Sequence, residues 1–344
     1  MNYRTLGSSG CSVSVLCLGT MTFGNETDEN ESFAQLDTFM EAGGNFIDTA
    51  DVYTQGQSES IIGRWLKKTT PFQRDQVIIA TKGRFPTGSG PNDAGLSRRH
   101  LTKAIDASLM RLGLETIDLY QVHAWDPWTP LEETLSCLND AVSAGKIRYF
   151  GLSNFTGWQL QKTVDLSLNR HLDTPVTLQP QYNLLAREIE WEIIPACLEN
   201  GVGLLPWSPL GGGWLTGKYK RDQIPTGSTR LGENPNRGVE SYYRRSSQER
   251  TWDVLSAVEK ASKNFNATMA QVSLAWLRDR PSVSSVILGC RNVEQLNDNL
   301  GAGDLLLDND SIEELNLASD PGASDYPYGG PGNAQRSRNI SGIK

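Results

Sequence analysis

The sequence predicts an α/β protein: one (β/α)8 barrel with an N-terminal β-hairpin and long loops at its C-terminal face. Three observations lead there. Short apolar runs alternate with longer amphipathic stretches eight times over. The runs are rich in β-branched residues and nearly continuous in apolarity, which suits strands covered on both faces of a parallel sheet. The rival arrangement, an open doubly wound sheet, normally carries Gly-x-Gly-x-x-Gly after its first strand, and the segment Gly19–Gly24 has the wrong spacing.

Taken in order, Tyr3–Leu6 and Ser12–Val15 flank Gly7-Ser8-Ser9-Gly10 and read as a hairpin ahead of the barrel. The barrel strands are expected at Val15–Gly19, Asn45–Thr49, Val77–Lys82, Ile117–His123, Ile147–Ser153, Val176–Gln179, Val202–Trp207 and Ser284–Leu288. Helical patterns lie between them. In Ser97–Leu112, the residues Leu101, Ile105, Leu109 and Leu112 form one stripe, Ser97 is placed to cap and Gly113 to stop. Pro130–Ala144 opens on proline and ends at Gly145, and Glu188–Asn200 ends at Gly201. In Thr268–Asp279, Thr268 and Gln271 have capping-box spacing.

Three segments exceed what a barrel needs: Gly83–Leu96, the cation-rich Ser208–Ser247, and the Gly/Pro/Ser-rich tail Ser319–Lys344 with Tyr326 and Tyr328. The first two follow strand C-termini, where a barrel carries its active site. The tail reads either as a flexible end or as a flap lining that site. Residues 1–344 are read as one domain, since α/β barrels reach this length as a single unit.

Composition narrows the class. Apolar residues at 38% and charged residues at 21% supply a core and argue against disorder. With 32 Lys plus Arg against 40 Asp plus Glu, the net charge of −8 disfavours nucleic acid and anionic lipid as partners. Apolar runs such as Val77–Thr81 are far below the roughly 20 residues that cross a bilayer. The opening Met1-Asn2-Tyr3-Arg4 lacks the apolar stretch of a signal peptide. Cys11, Cys17, Cys137, Cys197 and Cys290 are scattered without zinc or redox spacing and read as reduced thiols. No His-x-x-x-His or Cys-x-x-Cys occurs, so no metal is expected. The expectation is a soluble, cytoplasmic protein whose oligomeric state stays open.

Polar residues at the strand ends suggest chemistry. The second strand ends at Asp48 with Tyr53 in the following loop, the third at Lys82, the fourth at His123. Neighbouring strands would bring all four to one rim. A tyrosine is a weak acid with a reference pKa of about 10, and a nearby ammonium favours its phenolate and lowers that value. Asp48 can hold Lys82, and His123 can hydrogen-bond to the phenol or to a substrate oxygen. Such a set suits proton delivery to a carbonyl oxygen gaining charge as hydride attacks its carbon. Each residue alone has a plainer role: a barrel ion pair for Lys82, a loop cap for Asp48, packing for Tyr53, a core imidazole for His123. His100 and His171 are expected at the surface.

These residues sit in ordered motifs. Arg4-Thr5-Leu6-Gly7, Asn45-Phe46-Ile47-Asp48-Thr49-Ala50 with Tyr53, Ala80-Thr81-Lys82 and Asp118-Leu119-Tyr120-Gln121-Val122-His123 come first. Gly145-Lys146-Ile147-Arg148, Gly151-Leu152-Ser153-Asn154-Phe155, Gln179-Pro180-Gln181-Tyr182-Asn183, Trp207-Ser208-Pro209-Leu210 and Glu294-Gln295-Leu296 follow. Over nearly its whole length the chain resembles the aldo-keto reductases, in the branch that includes bacterial reductases and potassium-channel β subunits. The resemblance implies a catalytic tetrad of Asp48, Tyr53, Lys82 and His123, with Tyr53 the proton donor. It implies NADPH lying across the barrel mouth without a Rossmann motif, touching Gly19, Thr20, Met21 and Asp48. Ser153, Asn154 and Gln179 would hydrogen-bond the nicotinamide carboxamide and Trp207 would stack on its ring. Ser208, Pro209, Leu210, Gly211 and Gly213 would approach the pyrophosphate, with Lys218 and Arg230 as countercharge. Leu288, Gly289, Arg291, Gln295, Asp298 and Asn299 match the adenosine-binding segment, Arg291 being the candidate for the 2′-phosphate. Other members place a Lys-Ser pair where this chain has Gly289-Cys290.

Candidate substrate-lining residues are Phe23, Tyr53, Phe85, His123, Trp125, Trp128 and Trp214. Trp125 and Trp128 either stack on a flat or sugar-like substrate or pack their loop shut. The leading expectation is NADPH-dependent reduction of a small carbonyl compound. The alternative is a cofactor-binding regulatory or redox-sensing subunit of the channel-β type.

Overall fold

The computed structural model describes residues 1–227 and 229–336. The hairpin pairs β1 (Tyr3–Thr5) with β2 (Ser12–Ser14), antiparallel. Eight strands then form one parallel sheet: β3 (Leu16–Gly19), β4 (Phe46–Asp48), β5 (Ile78–Gly83), β6 (Ile117–Val122), β7 (Ile147–Ser153), β8 (Thr177–Gln179), β9 (Gly203–Leu204) and β10 (Val286–Gly289). Each strand from β4 to β9 pairs with its predecessor, and β10 returns to pair with β3. The remaining seam closes through a parallel bridge between Leu204 and Val283. The Ser284 amide donates to the Leu204 carbonyl at 3.0 Å, and the Ile287 amide to that of Pro206 at 3.1 Å. The sheet is therefore the (β/α)8 barrel expected from the sequence.

Strand alternation sorts the side chains into two cores. Leu18, Ile47, Ile79, Tyr120, Phe150 and Leu178 face outward against the helices. Cys17, Phe46, Ala80, Leu119 and Ile287 form a second, inner cluster with Leu6 and Val13 of the hairpin segment. One step further along the same inner face stand Asp48, Lys82, Gln121 and Gln179, all buried. The hairpin side of the barrel is thus dry, and polarity begins where the strands end.

Helix boundaries follow local chemistry. Helix Arg98–Leu112 starts where the Ser97 hydroxyl accepts the His100 amide and stops at Gly113, whose φ is +65°. Thr268 and Gln271 form the expected capping box ahead of Met269–Arg278. The stretch expected as one helix over Glu188–Asn200 divides into a turn at Glu188–Glu190 and a helix at Ile193–Asn200. Arg187 grips both oxygens of Glu190 and the Tyr182 hydroxyl bonds the same carboxylate, which fixes that turn. The strand expected over Val202–Trp207 shrinks to Gly203–Leu204, because Pro206 has no N–H to continue the ladder.

His100 is 1% exposed rather than on the surface. The loop after β5 folds back over it, with the Gly95 amide on the Arg84 carbonyl and the Thr87 amide on that of Asp93. His171 is exposed, as expected. The Ser208–Ser247 excursion carries helical turns at Gly211–Thr216, Arg230–Glu233 and Tyr242–Ser246. In the tail, Tyr328 stacks on Trp191 at 5.6 Å and its hydroxyl meets Glu192. The last part of the tail, 337–344, lies outside the described residues. Among the described residues no helix is long and apolar enough to cross a membrane.

Candidate active site

The sheet register brings the polar strand ends together. Gly19 stands beside Asp48, Asp48 beside Ala80, and Lys82 beside Gln121. From the fully buried Lys82, Nζ donates to Asp48 Oδ2 at 2.6 Å, to the Thr49 carbonyl at 2.8 Å and to the Tyr53 hydroxyl at 3.3 Å. The ammonium thus has three acceptors for its three protons. The second Asp48 oxygen accepts from Gln121 Nε2 at 3.1 Å and from Gln179 Nε2 at 2.9 Å. The His123 ring lies 5.9 Å from the Tyr53 ring, nearly perpendicular to it, and Asn154 Nδ2 holds the His123 carbonyl at 2.9 Å. The four residues named from the strand ends meet at one point.

Their electrostatics differ in one respect from the sequence expectation. Burial raises the Tyr53 phenol above its ordinary value; Lys82 pulls the other way, and Asp48 pushes up again. The phenol is not acidified: burial outweighs the pull of Lys82, whose charge is shared with a carboxylate 2.6 Å away. Burial alone would lower Lys82, yet Asp48 and Tyr53 together hold it above its ordinary value, so it stays charged. His123 is pushed down to about 2, by burial first and then by Lys82 and Arg84. It is a neutral imidazole across the working range, able to donate a hydrogen bond without carrying charge.

Across the rim from Tyr53, Asn154 adopts a positive φ of 55° and links three groups. Its Nδ2 reaches the His123 carbonyl and the Ser153 hydroxyl, and its Oδ1 accepts from the Trp207 indole at 3.1 Å. Gln179 Nε2 is committed to Asp48 and to Gln121 Oε1, which leaves its own carbonyl oxygen to accept from a ligand amide.

Beyond Trp207, positive φ values at Ser208, Gly211, Gly212 and Gly213 turn the chain sharply. Lys218 lies over this turn, since a Cβ at Gly213 would come within 2.6 Å of Lys218 Nζ. Desolvation lowers Lys218 and Arg230 from their ordinary values, and neighbouring guanidiniums add to it: Arg291 and Arg230 around Lys218, Arg237 around Arg230. Among the described residues neither forms an ion pair with a carboxylate. Clustered cations that repel one another make a site for a polyanion. Arg291 is held at 2.7 Å by Glu26 and at 3.4 Å by Glu233, and Glu26 also takes Arg237 at 2.9 Å. Gln295 accepts the Arg291 amide, Asp298 is tied to Gln271 and Thr268, and Asn299 is turned inward to Cys290. Lys218 and Arg230, with the turn at Gly211, Gly212 and Gly213 beside them, fit the phosphates of a dinucleotide, whereas Asn299 faces the interior.

On the substrate side, Phe85 packs edge-on against His123 at 4.7 Å, and Trp125 packs on Phe155 and Trp158. Trp128 is 92% exposed. Two candidates do not reach the mouth. Trp214 is fully buried, stacked on Tyr242 at 5.5 Å with its indole donating to the Glu240 carbonyl, because the long loop folds around its own aromatic core. Phe23 is fully buried too, since its turn packs inward and bridges to Thr27. Conversely, Gln121 belongs to the site and was read only as part of a strand; counting two from Leu119 puts it on the inner face. Glu26, which clasps two loops together, carries no sequence signal.

A barrel with a buried Lys–Asp–Tyr cluster at the C-terminal ends of its strands defines an oxidoreductase-like site on an α/β scaffold. The model of the Aldo/keto reductase family matches residues 15–320, and the chain belongs to that family. It is 36% identical over 311 residues to a probable voltage-gated potassium channel subunit beta of Arabidopsis thaliana, covering 89% of this chain and 92% of that one. It is 37% identical over 324 residues to the uncharacterized oxidoreductase YrpG of Bacillus subtilis, covering 92% and 95%. It is 34% identical over 338 residues to versiconal hemiacetal acetate reductase of Aspergillus parasiticus, covering 92% and 96%.

Proposed function

We propose that the protein reduces a small carbonyl compound with NADPH, using Tyr53 as the proton donor. The observation that carries this reading is the buried Lys82 ammonium bonded at once to Asp48 and to the Tyr53 hydroxyl. A bound reduced nicotinamide would supply hydride to the carbonyl carbon. The raised Tyr53 keeps its proton through the neutral range, so the acid is loaded before substrate arrives. The oxygen that gains charge is far more basic than a phenolate, and it takes that proton as Lys82 steadies the phenolate left behind. Neutral His123 orients the carbonyl by hydrogen bonding, with Phe85 packed edge-on against its ring.

Preference for NADPH over NADH is supported by Lys218 and Arg230, whose cations suit an additional phosphate; Arg291 lies beside them, held by Glu26 and Glu233, from which a 2′-phosphate would have to take it. Loss of NADPH absorbance across aldehydes, ketones, quinones and keto-sugars, with NADH as control, tests the proposal. Turnover with NADPH on at least one carbonyl is expected, and none on the whole panel would overturn it. The relatives named as channel β subunits support a second reading, a cofactor-binding regulatory subunit. Tight NADPH binding without turnover, together with a membrane protein in pull-down, would favour it.

A further inference from the structure

Behind the Lys82–Tyr53 pair lies a second buried carboxyl that the reaction as described does not use. Asp51 sits between Asp48 and Tyr53 on the loop leaving β4, and its amide donates to the Lys82 carbonyl at 3.0 Å. It is 2% exposed, and neither carboxyl oxygen completes a hydrogen bond. The Tyr120 hydroxyl is likewise buried and without a partner. Gly83 is what brings the two together: a Cβ there would stand 2.1 Å from the Tyr120 hydroxyl and 3.2 Å from Asp51 Oδ2.

The charged surroundings come from every side. Helix Gln57–Lys68 presents Glu59, fully buried, with one oxygen on Arg111 Nε at 2.6 Å and the other on the Thr81 hydroxyl at 2.5 Å. Helix Arg98–Leu112 presents Arg111, β5 presents Lys82 and β6 presents Tyr120, with Cys137 behind it. Glu59 is satisfied without Asp51 and offers it only negative charge. An ionised Asp51 would have only the neighbouring Val52 amide turned toward it and no side-chain donor, whereas a protonated one is uncharged and tolerates the site. Burial first, and Glu59 second, lift its carboxyl to about 7, against Arg111, the Val52 amide and Lys82.

We propose that Asp51, buried two residues from Tyr53 and tied by its amide to the Lys82 backbone, is a positioning residue that sets the proton affinity of Tyr53 through space by its own change of charge. This rests on the reading of Tyr53 as the proton donor. Once anionic, Asp51 disfavours the phenolate, so Tyr53 keeps its proton to higher pH. In Asp51→Asn, which is isosteric with the neutral acid, that support is missing only above the point where Asp51 ionises.

Two readouts test this. The first is the infrared C=O band of a protonated carboxyl in ligand-free protein, assigned by difference against Asp51→Asn and checked in 13C-aspartate-labelled wild type, which needs no variant. The band should be present at pH 5 and lost as pH passes about 7; its absence at pH 5 overturns the proposal. The second is the pH profile of kcat/KM for carbonyl reduction. Wild type and Asp51→Asn should coincide at low pH, and the alkaline limb of the variant should fall about 0.5–1 pH unit earlier, less than a charge in direct contact produces. A constant ratio at all pH values would mark a merely structural residue and overturn the proposal. Failure of wild type to reduce any carbonyl counts against the proposed function alone, because the infrared titration needs no substrate.

Discussion

At the residue scale, reactivity turns on which groups carry charge in a dry pocket. Lys82 is charged because Asp48 shares its burial, and His123 is neutral because it is buried beside two cations, Lys82 and Arg84. The His123 imidazole titrates far below its ordinary 6.5, so the unfolded chain binds this proton first as pH falls. Its contribution to stability is therefore complete above about pH 6.5 and is lost progressively below it, by about 2 kcal/mol at pH 5. Thermal unfolding of His123→Gln against wild type checks the sign: the gap should shift in favour of the variant between pH 7.5 and pH 5. A gap independent of pH would mean that the imidazole takes up its proton in the folded protein as readily as in the unfolded chain. The same neutrality predicts no limb from His123 in the rate profile near pH 6.5.

At the element scale, the loop from Ser208 to Ser247 is a small folded body that carries the Lys218 and Arg230 cations. Trp214 anchors it, packed by Tyr219, Tyr242 and Trp252. Trp214→Ala should destabilise the protein by about 3–5 kcal/mol, the usual cost of emptying a buried aromatic site. KM for NADPH should rise, while KM for the carbonyl stays near its original value, because the indole faces the loop core. A carbonyl KM that rises alone would return Trp214 to the substrate side. The sequence showed this loop as long and cationic, but not that it encloses an aromatic cluster. Its packing depends on contacts among short turns, which leave no periodic pattern. The barrel strands were legible for the opposite reason: an alternation of two forces each side chain to one face or the other, so the order Phe46 then Asp48, and Ala80 then Lys82, already encodes a dry layer under a polar one. Strand parity would also have exposed Gln121.

At the scale of the whole molecule, ring closure turns four distant sequence positions into one site and gathers three loops around a trench. Glu26 from the loop after β3 joins Arg237 and Arg291 across two other loops. The cations along that trench predict an electrostatic cofactor preference. Raising ionic strength from about 0.05 to 0.5 M should weaken NADPH more than NADH, since screening acts most on the ligand with the greater charge. Arg230→Gln should narrow the same preference at low salt, and equal salt dependence for both cofactors would remove the trench from phosphate selection. What the sequence could not disclose at this scale is protonation. The strand ends named Tyr53 and Lys82 correctly as neighbours, but the direction of the Tyr53 shift depends first on how deeply the phenol is buried and then on how Lys82 divides its charge between Asp48 and the phenol, and that is a matter of ångströms.

The most direct measurement is made on Tyr53→Phe, with NADPH binding followed by fluorescence and reduction followed by absorbance in the same preparation. Cofactor affinity should be unchanged and kcat reduced about 10²–10⁴-fold, the range for losing a general acid. A kcat within a few-fold of wild type would show that another group delivers the proton, and the assignment of this cluster as the catalytic centre would fall.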